Sequence, residues 1–216
     1  MARVSDSPAA PRVSGPDLPP HLESARPSRG ADLLQVQLEL AGAVDLAHSS
    51  LEQCRITADA DSVDLTGATI LDVDAKELRV ASVTLRNAGI RRLRITGGRI
   101  GTLDLSGTRI DELEIRGARI DYLTLGGAKG SDILIAESTI RTLDLPQAEI
   151  TRMAFASCRS HEVDPRGLRA KDVDLRGLDV DAFVDASSLR GTTMTTHQIQ
   201  QLAPVIAACM GIQVKD

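Results

Sequence analysis

A bulky aliphatic residue recurs at every fifth position over most of this chain. In the stretch from Leu103 to Gly127, LDLSGTRIDELEIRGARIDYLTLGG, leucine returns every ten residues and some aliphatic residue every five. An α-helix turns once in about 3.6 residues, so a period of five cannot keep these residues on one side of a helix. The pattern therefore excludes an amphipathic helix and indicates a solenoid built from very short strands.

The repeat has a central position and a second inward position two residues before it. Residues two apart lie on the same face of a strand, so both are expected to point into the core, while the polar residues between them turn the corners. Gly130 is the exception at the centre. The second position alternates between large residues such as Leu113 and small ones such as Ala118. The phase predicts near-complete burial of a run of consecutive centres: Ile110, Ile115, Ile120 and Leu125.

The composition fits such a core and offers little for catalysis. Hydrophobic residues make up 42% of the 216 residues, but aromatic residues only 1%, with no tryptophan. Enzyme pockets usually have aromatic walls, and no nucleotide-binding, nucleophile-elbow or zinc-site motif is present. Cys158 and His161 are close enough in sequence for a nucleophile and its base, but Cys158 falls at an inward position, where a thiol is inert filling. We predict no catalytic site, no cofactor and no metal site.

The chain divides into three parts. Residues 1–31 are rich in proline and serine and are predicted to form a disordered arm. Residues 32–191 carry the repeat. Residues 192–216 show helical spacing at Ile199, Leu202, Val205, Ile206 and Met210, with Thr195 or Thr196 as the cap, Gly211 as the end and Pro204 expected to kink or split the helix. Three cysteines without paired spacing and the lack of a signal-like or membrane-length apolar run favour the cytoplasm.

Several segments carry a family resemblance. ATILD, AGIRR, TRIDE, ARIDY, STIRT and AEITR resemble the pentapeptide repeat, and the likeness extends over roughly residues 38–180. Upstream, spacings of six and nine residues mark insertions or a short repeat. The resemblance implies a right-handed quadrilateral β-helix with twenty residues per coil, hence about seven coils, and a C-terminal helical cap like that of actinobacterial members. The alternating large and small inward residues depart from the family and predict that two opposite faces pack differently from the other two.

Twenty residues per coil would place exposed charges in columns. Arg79, Arg99, Arg119 and Arg159 fall in one column, interrupted by Thr139, which we call the arginine column. Asp64, Asp104, Asp144 and Asp164 fall in another, the aspartate column, alternating with threonine. Like charges that stack repel, so we expect the two columns to neutralise each other across the corner between them. In a second interpretation either column is a docking strip for a partner.

Two functions from different classes are open. The first is a non-enzymatic rod that binds an unidentified protein. The second follows from the resemblance, because some pentapeptide-repeat proteins imitate duplex DNA and inhibit or protect a type II topoisomerase, DNA gyrase. A DNA mimic should be acidic along its length, yet residues 64–182 contain 19 acidic and 18 basic residues, and the acidic excess lies in residues 32–62. The expected partner is a protein. Direct nucleic-acid binding and membrane binding are not expected, and the resemblance implies a homodimer through the C-terminal helix.

Overall fold

The computed structural model describes residues 7–213 and 215, which form a parallel β-solenoid closed at one end by a single α-helix. Every strand pairing is parallel, because the chain returns to the same edge after each coil. The strands are β1 (Glu23–Ser24), β2 (Asp32–Leu34), β3 (Val36–Asp45), β4 (Ser50–Asp64), β5 (Thr69–Thr84), β6 (Gly89–Asp104), β7 (Arg109–Arg116), β8 (Arg119–Thr124), β9 (Lys129–Ala136), β10 (Thr139–Asp144), β11 (Glu149–Ala156), β12 (Cys158–Asp164), β13 (Arg169–Asp174), β14 (Leu178–Phe183) and β15 (Thr192–Thr193), and the helix is α1 (Thr196–Cys209).

Strand register shows that each full coil contains twenty residues. Ile70 pairs with Ile90 and Ile90 with Ile110, and the same step continues to Ala170. The first coils are shorter, since Leu33 pairs with Leu51 and Leu51 with Ile70, and β-bulge-like shifts at Gly42/Ala43 and Thr57/Asp59 restore the phase. The structure thus has about eight coils rather than the predicted seven, because short coils precede the regular repeat.

The predicted phase of the core is confirmed. Ile115 is 0% exposed, and Ile110, Ile120 and Leu125 are between 1% and 4% exposed. The large and the small inward residues both point into this core, as Leu113 and Ala118 show. Gly130 is also explained: a Cβ added there would lie 2.9 Å from Cδ1 of Ile133 and 3.2 Å from Cδ1 of Ile150, so neighbouring side chains already fill its place.

The helix α1 closes the C-terminal end of the core. Thr195 caps it and forms a reciprocal pair of hydrogen bonds with Gln198, and Gly211 adopts a left-handed backbone just after its end. The Gln198 side chain also donates two hydrogen bonds, each 2.8 Å long, to the backbone carbonyls of Leu175 and Leu178. These bonds attach α1 to backbone acceptors at the end of the last coil, where the Leu175 carbonyl also accepts from the backbone N–H of Leu178. The helix is not split at Pro204, because Thr196–Cys209 is one continuous helix with the proline inside it.

The described part of the arm follows a defined path, contrary to the prediction of disorder for residues 1–31. Residues 7–22 extend along the outside of the rod without strand pairing, and their backbone N–H groups donate to carboxylates from Asp172 near the last coil down to Asp72 near the first. Glu23 then pairs with Val36 at the start of the solenoid. The composition of the arm did not predict this path, because hydrogen bonds to the rod hold the arm in place and little apolar surface of its own is needed. Residues 1–6 lie outside the described residues.

Candidate interaction faces

The arginine column stacks as its twenty-residue spacing predicted. Arg79 pairs in register with Arg99, Arg99 with Arg119, and Arg159 follows after Thr139. All four arginines are exposed, because they occupy the outward position just before a buried centre. We call the surface formed by this column and the exposed positions two residues beyond it the arginine face.

Ion pairing on the arginine face is incomplete. Arg99 lies 3.7 Å from Asp121 and Arg159 lies 3.2 Å from Asp181, in each case one coil further along the rod and on the same face. Among the described residues, Arg79, Arg119 and Arg141 form no ion pair. Between Arg79 and His161 this face carries five arginines and one aspartate, and three of the guanidinium groups form no ion pair among the described residues; aspartates flank this stretch at both ends, since Asp59 stacks on Arg79 and Asp179 on Arg159.

A shallow groove lies beside the first of these arginines. Ala81, Gly98 and Gly101 contribute almost no side chain there, and the resulting depression of about 660 Å³ is lined at its edges by Glu77, Arg79, Arg99 and Asp121. A side chain at Gly101 would collide with the backbone, because an added Cβ would lie 2.4 Å from the carbonyl oxygen of Ala81. Because the two coils approach closely here, only small residues fit, and the arginine side chains at the edge of the groove remain accessible.

The aspartate column also stacks in register, with Thr84 and Thr124 between its members. Its side chains cap turns: the carboxylates of Asp64, Asp104 and Asp164 each accept the backbone N–H two residues later. This is the local hydrogen bond by which aspartate favours turns. The turn cap therefore gives a structural cause for three of the four aspartates; Asp144 is the exception, because residue 146 is proline and has no N–H to donate.

The predicted neutralisation of one column by the other is wrong. Asp104 pairs with Arg86 and Asp164 with Arg166, and both arginines lie on the same face as the aspartates. Asp104 and Asp164 are each only 5% exposed, and these arginines, which lie in the turns beside them, are closer partners than the arginine column beyond the corner. Asp104 and Asp164 have counter-charges on their own face, and the arginine column does not supply them.

The hydrogen bonds of the aspartate column shift the pKa values of its members and of a neighbouring tyrosine. The Arg166 guanidinium holds the pKa of Asp164 below its usual value. Burial opposes ionisation of Asp104, but hydrogen bonds from Ser106 and Arg86 outweigh it and lower its pKa as well. The hydroxyl of Tyr122 donates to Asp144, which raises the pKa of the tyrosine to about 12. The aspartate column is therefore interrupted by threonines and partly neutralised along the rod.

The C-terminal residues singled out by helical spacing divide between two sides of α1. Leu202 is buried, and Val205 and Ile206 are partly buried against the core, so these three belong to the cap. Ile199 and Met210 are 46% and 71% exposed. The structure separates cap contacts from residues that are open to solvent.

Cys158 and His161, the pair considered for catalysis, do not contact each other but have different partners. Cys54 and Cys158 are buried, and each thiol contacts a backbone carbonyl oxygen, of Leu33 and of Ile135 respectively. His161 is exposed and pairs with Asp181 instead of Cys158. Within residues 7–213 and 215, no group of three His, Cys, Asp or Glu side chains is placed to hold a metal ion.

Thiol labelling tests this placement. Burial raises the pKa of Cys54 and of Cys158 and disfavours the reactive thiolate, whereas Cys209 is exposed. We expect one thiol per native chain to react with Ellman's reagent and three to react after denaturation. Replacing Cys209 by Ser should remove the native reaction. Fast native labelling of the Cys209→Ser chain would contradict the inward position of Cys158.

Sequence reasoning missed one set of surface residues. Asp72, Glu112, Asp132 and Asp172 share one corner position of the coil, and the arm contacts all four. These carboxylates recur at multiples of twenty residues, as the arginine column does, so the sequence could have revealed them. Arginines occupy two positions of the series, at 92 and 152.

No family model and no curated protein matches the chain. None of the helices formed by the described residues is long and apolar enough to span a membrane.

Proposed function

We propose that this chain is a non-enzymatic rod that binds another protein, and that the arginine face is its docking surface for an acidic partner. The observation that carries the proposal is that three guanidinium groups of this face, those of Arg79, Arg119 and Arg141, form no ion pair among the described residues. Arg99 lies between Arg79 and Arg119 in the column, one coil or ~5 Å from each, a separation at which two unit charges repel by roughly 0.8 kcal/mol in water. Asp104 and Asp164 of the aspartate column, by comparison, are paired with Arg86 and Arg166 on their own face.

A defined probe tests this role. Fluorescein-labelled polyglutamate should bind the chain, and binding should weaken as salt is raised. The double change Arg79→Ala and Arg119→Ala should weaken it at least ~10-fold, because each exposed charge removed is a direct contact on the face. The melting temperature should move by less than ~2 °C, since neither arginine forms an ion pair in the described part of the chain.

A matched double variant separates a docking face from net charge. Changing Arg86→Ala and Arg166→Ala also removes two positive charges, but from the face that carries the aspartate column. We expect that variant to weaken polyglutamate binding less than ~3-fold. Equal losses in the two double variants would mean that only total charge matters, and the arginine face would then have no special role.

The alternative function, a DNA-mimicking inhibitor or protector of DNA gyrase, is supported less well. Asp64 and Asp144 form no ion pair among the described residues and would be its charged groups. However, Thr84 and Thr124 interrupt their column, and Arg86 and Arg166 neutralise two of its members. Inhibition of gyrase supercoiling by the native chain, relieved by Asp64→Asn and Asp144→Asn, would favour this function instead, since asparagine removes both charges and can keep the turn cap at position 64.

The homodimer expected from the resemblance remains a prediction about the exposed side of α1. Ile199 and Met210 are free to meet a second copy, whereas Leu202 is occupied by the cap. If the chain dimerises through this side, the double change Ile199→Lys and Met210→Lys should give a monomer by sedimentation velocity with an unchanged melting temperature. A dimer that survives this change, or a monomeric native chain, would contradict the prediction.

A further inference from the structure

The N-terminal arm is held by a row of carboxylates, which we call the carboxylate ledge: Asp72, Glu112, Asp132 and Asp172. Each accepts a backbone N–H of the extended arm. The four contacts are Asp17 to Asp72 at 2.9 Å, Ser14 to Glu112 at 2.9 Å, Arg12 to Asp132 at 2.8 Å and Ala9 to Asp172 at 3.2 Å. The arm therefore runs along the rod from the last coils towards the first.

The spacing of the ledge fits the rise of a polyproline II segment. Eight residue steps separate Ala9 from Asp17, which spans ~25 Å at ~3.1 Å per residue. Five coils separate Asp172 from Asp72, which spans ~24 Å at ~4.8 Å per coil. A segment in this conformation thus stays in step with the carboxylates over its whole length, whereas a fully extended strand at ~3.4 Å per residue would overshoot by ~3 Å.

The rod itself fixes two of the carboxylates. Arg92 donates to both oxygens of Asp72, at 2.6 and 2.8 Å, and Arg152 donates to both oxygens of Asp132, at 2.7 and 2.5 Å. The Arg152 guanidinium also lowers the pKa of Asp132, which keeps this acceptor ionised. These contacts do not involve the arm, so charged acceptors stand in fixed positions for whatever segment lies there.

Recognition of the arm is mostly recognition of its backbone. Three of the four donors, Ala9, Arg12 and Asp17, directly follow a proline, whose ring presets the extended conformation. Only Ser14 adds a bond from its side chain, 2.6 Å from its hydroxyl to Glu112. Another extended segment with N–H groups at these intervals would make the same contacts.

We infer that the carboxylate ledge is a docking site for extended, proline-rich segments of a partner protein, and that the arm occupies it in cis as a displaceable ligand. Displacement is feasible because residues 7–22 pair with no strand and are held by a few hydrogen bonds at the surface, unlike the coils beneath them. The ledge shares no residue with the arginine face, so failure of one binding proposal would not affect the other.

Proline substitution in the full chain gives a sharp test, because it removes one N–H donor and keeps the extended backbone. The double variant Arg12→Pro and Ser14→Pro loses two of the four contacts. Val13→Pro is the matched control, since it keeps all four donors of the arm. The probe is a fluorescein-labelled peptide of residues 7–20, SPAAPRVSGPDLPP, and the measurement is fluorescence anisotropy.

We expect the peptide to bind the double variant at least ~10-fold more tightly than the native chain or Val13→Pro, because a weakened arm competes less well from its high local concentration. Adding Glu112→Gly to the double variant should reverse most of this gain. Glycine suits that position, since Glu112 has a φ of 67°, so the change removes the carboxylate without backbone strain. Amide exchange in the native chain should also be at least ~10-fold slower at Arg12 and Ser14 than at Val13.

Several results would overturn the inference. Equal peptide affinity for the double variant and the native chain would show that the arm does not compete for the ledge. Unprotected amides at Arg12 and Ser14 would show that the ledge does not hold the arm. A native dimer that the peptide dissociates would assign the ledge to the arm of a second copy and would contradict the arrangement in cis.

Discussion

Ile115→Asp is expected to abolish cooperative folding of the coils around it. Ile115 is 0% exposed at a central position of the repeat, with Ile95 and Ile135 paired above and below it. Removing the aliphatic side chain costs ~2–5 kcal/mol, and a carboxylate without a partner in this core adds several kcal/mol more. The sum is comparable to the whole stability of a domain of this kind, roughly 5–15 kcal/mol.

The measurement is thermal unfolding followed by circular dichroism. A loss of ~5 kcal/mol or more should lower the melting temperature by ~10–20 °C or remove the cooperative transition. Leu34→Asp is the control, because it makes a similar chemical change at a side chain that is 58% exposed, and it should shift the melting temperature by only a few degrees. An Ile115→Asp chain as stable as the native one would refute the five-residue phase.

Gly98→Ala is expected to be nearly as damaging, although it adds a single methyl group. A Cβ at this position would lie 2.3 Å from the carbonyl oxygen and 2.5 Å from the nitrogen of Leu78, both of them backbone atoms that cannot rotate away. Gly98 also has a φ of +90°, a conformation that alanine rarely adopts. The coils must separate locally to relieve the contact, and we expect a loss of ~2–4 kcal/mol of unfolding free energy.

Gly89→Ala is the matched control for this change. It lies in the same strand β6, and an added Cβ would meet no atom within 4 Å. Because its backbone is not left-handed, alanine should leave stability unchanged or raise it by ~0.4–1 kcal/mol through the unfolded state. Denaturant titrations of both variants decide the matter: equal midpoints would mean that the coils are not in contact at Gly98.

The core and the stacking of the coils were accessible from the sequence because they depend on a regular alternation. A central aliphatic residue every five positions requires a strand and a corner in every repeat, and twenty residues per coil follow once the repeat is recognised. The burial of Ile115 and the inward position of Cys158 were therefore predictable residue by residue. The first short coils were harder, since Leu33 and Leu51 belong to the stack but are offset by 18 residues instead of twenty.

The partners of the surface charges depend on the tertiary structure. Spacing places Asp104 in its column, but whether Arg86 or a member of the arginine column lies nearer depends on which side of a corner each long side chain reaches. The same holds for Arg119, which remains unpaired although Asp121 is only two residues away, because Asp121 contacts Arg99 of the preceding coil. Ion pairs join the ends of flexible side chains, and the order of residues along the chain does not determine those distances.

The path of the arm also depends on the folded rod. Its contacts use backbone N–H groups, which almost every residue possesses, so they cannot be predicted from the residue types in Ala9–Asp17. The acceptors Asp72 and Asp172 are 100 residues apart in sequence, and only the stacking of the coils brings them into one line. The repeat by itself determined the core of this protein, because burial follows a local period; the surface was decided by the tertiary structure, because its contacts join groups that the fold alone makes neighbours.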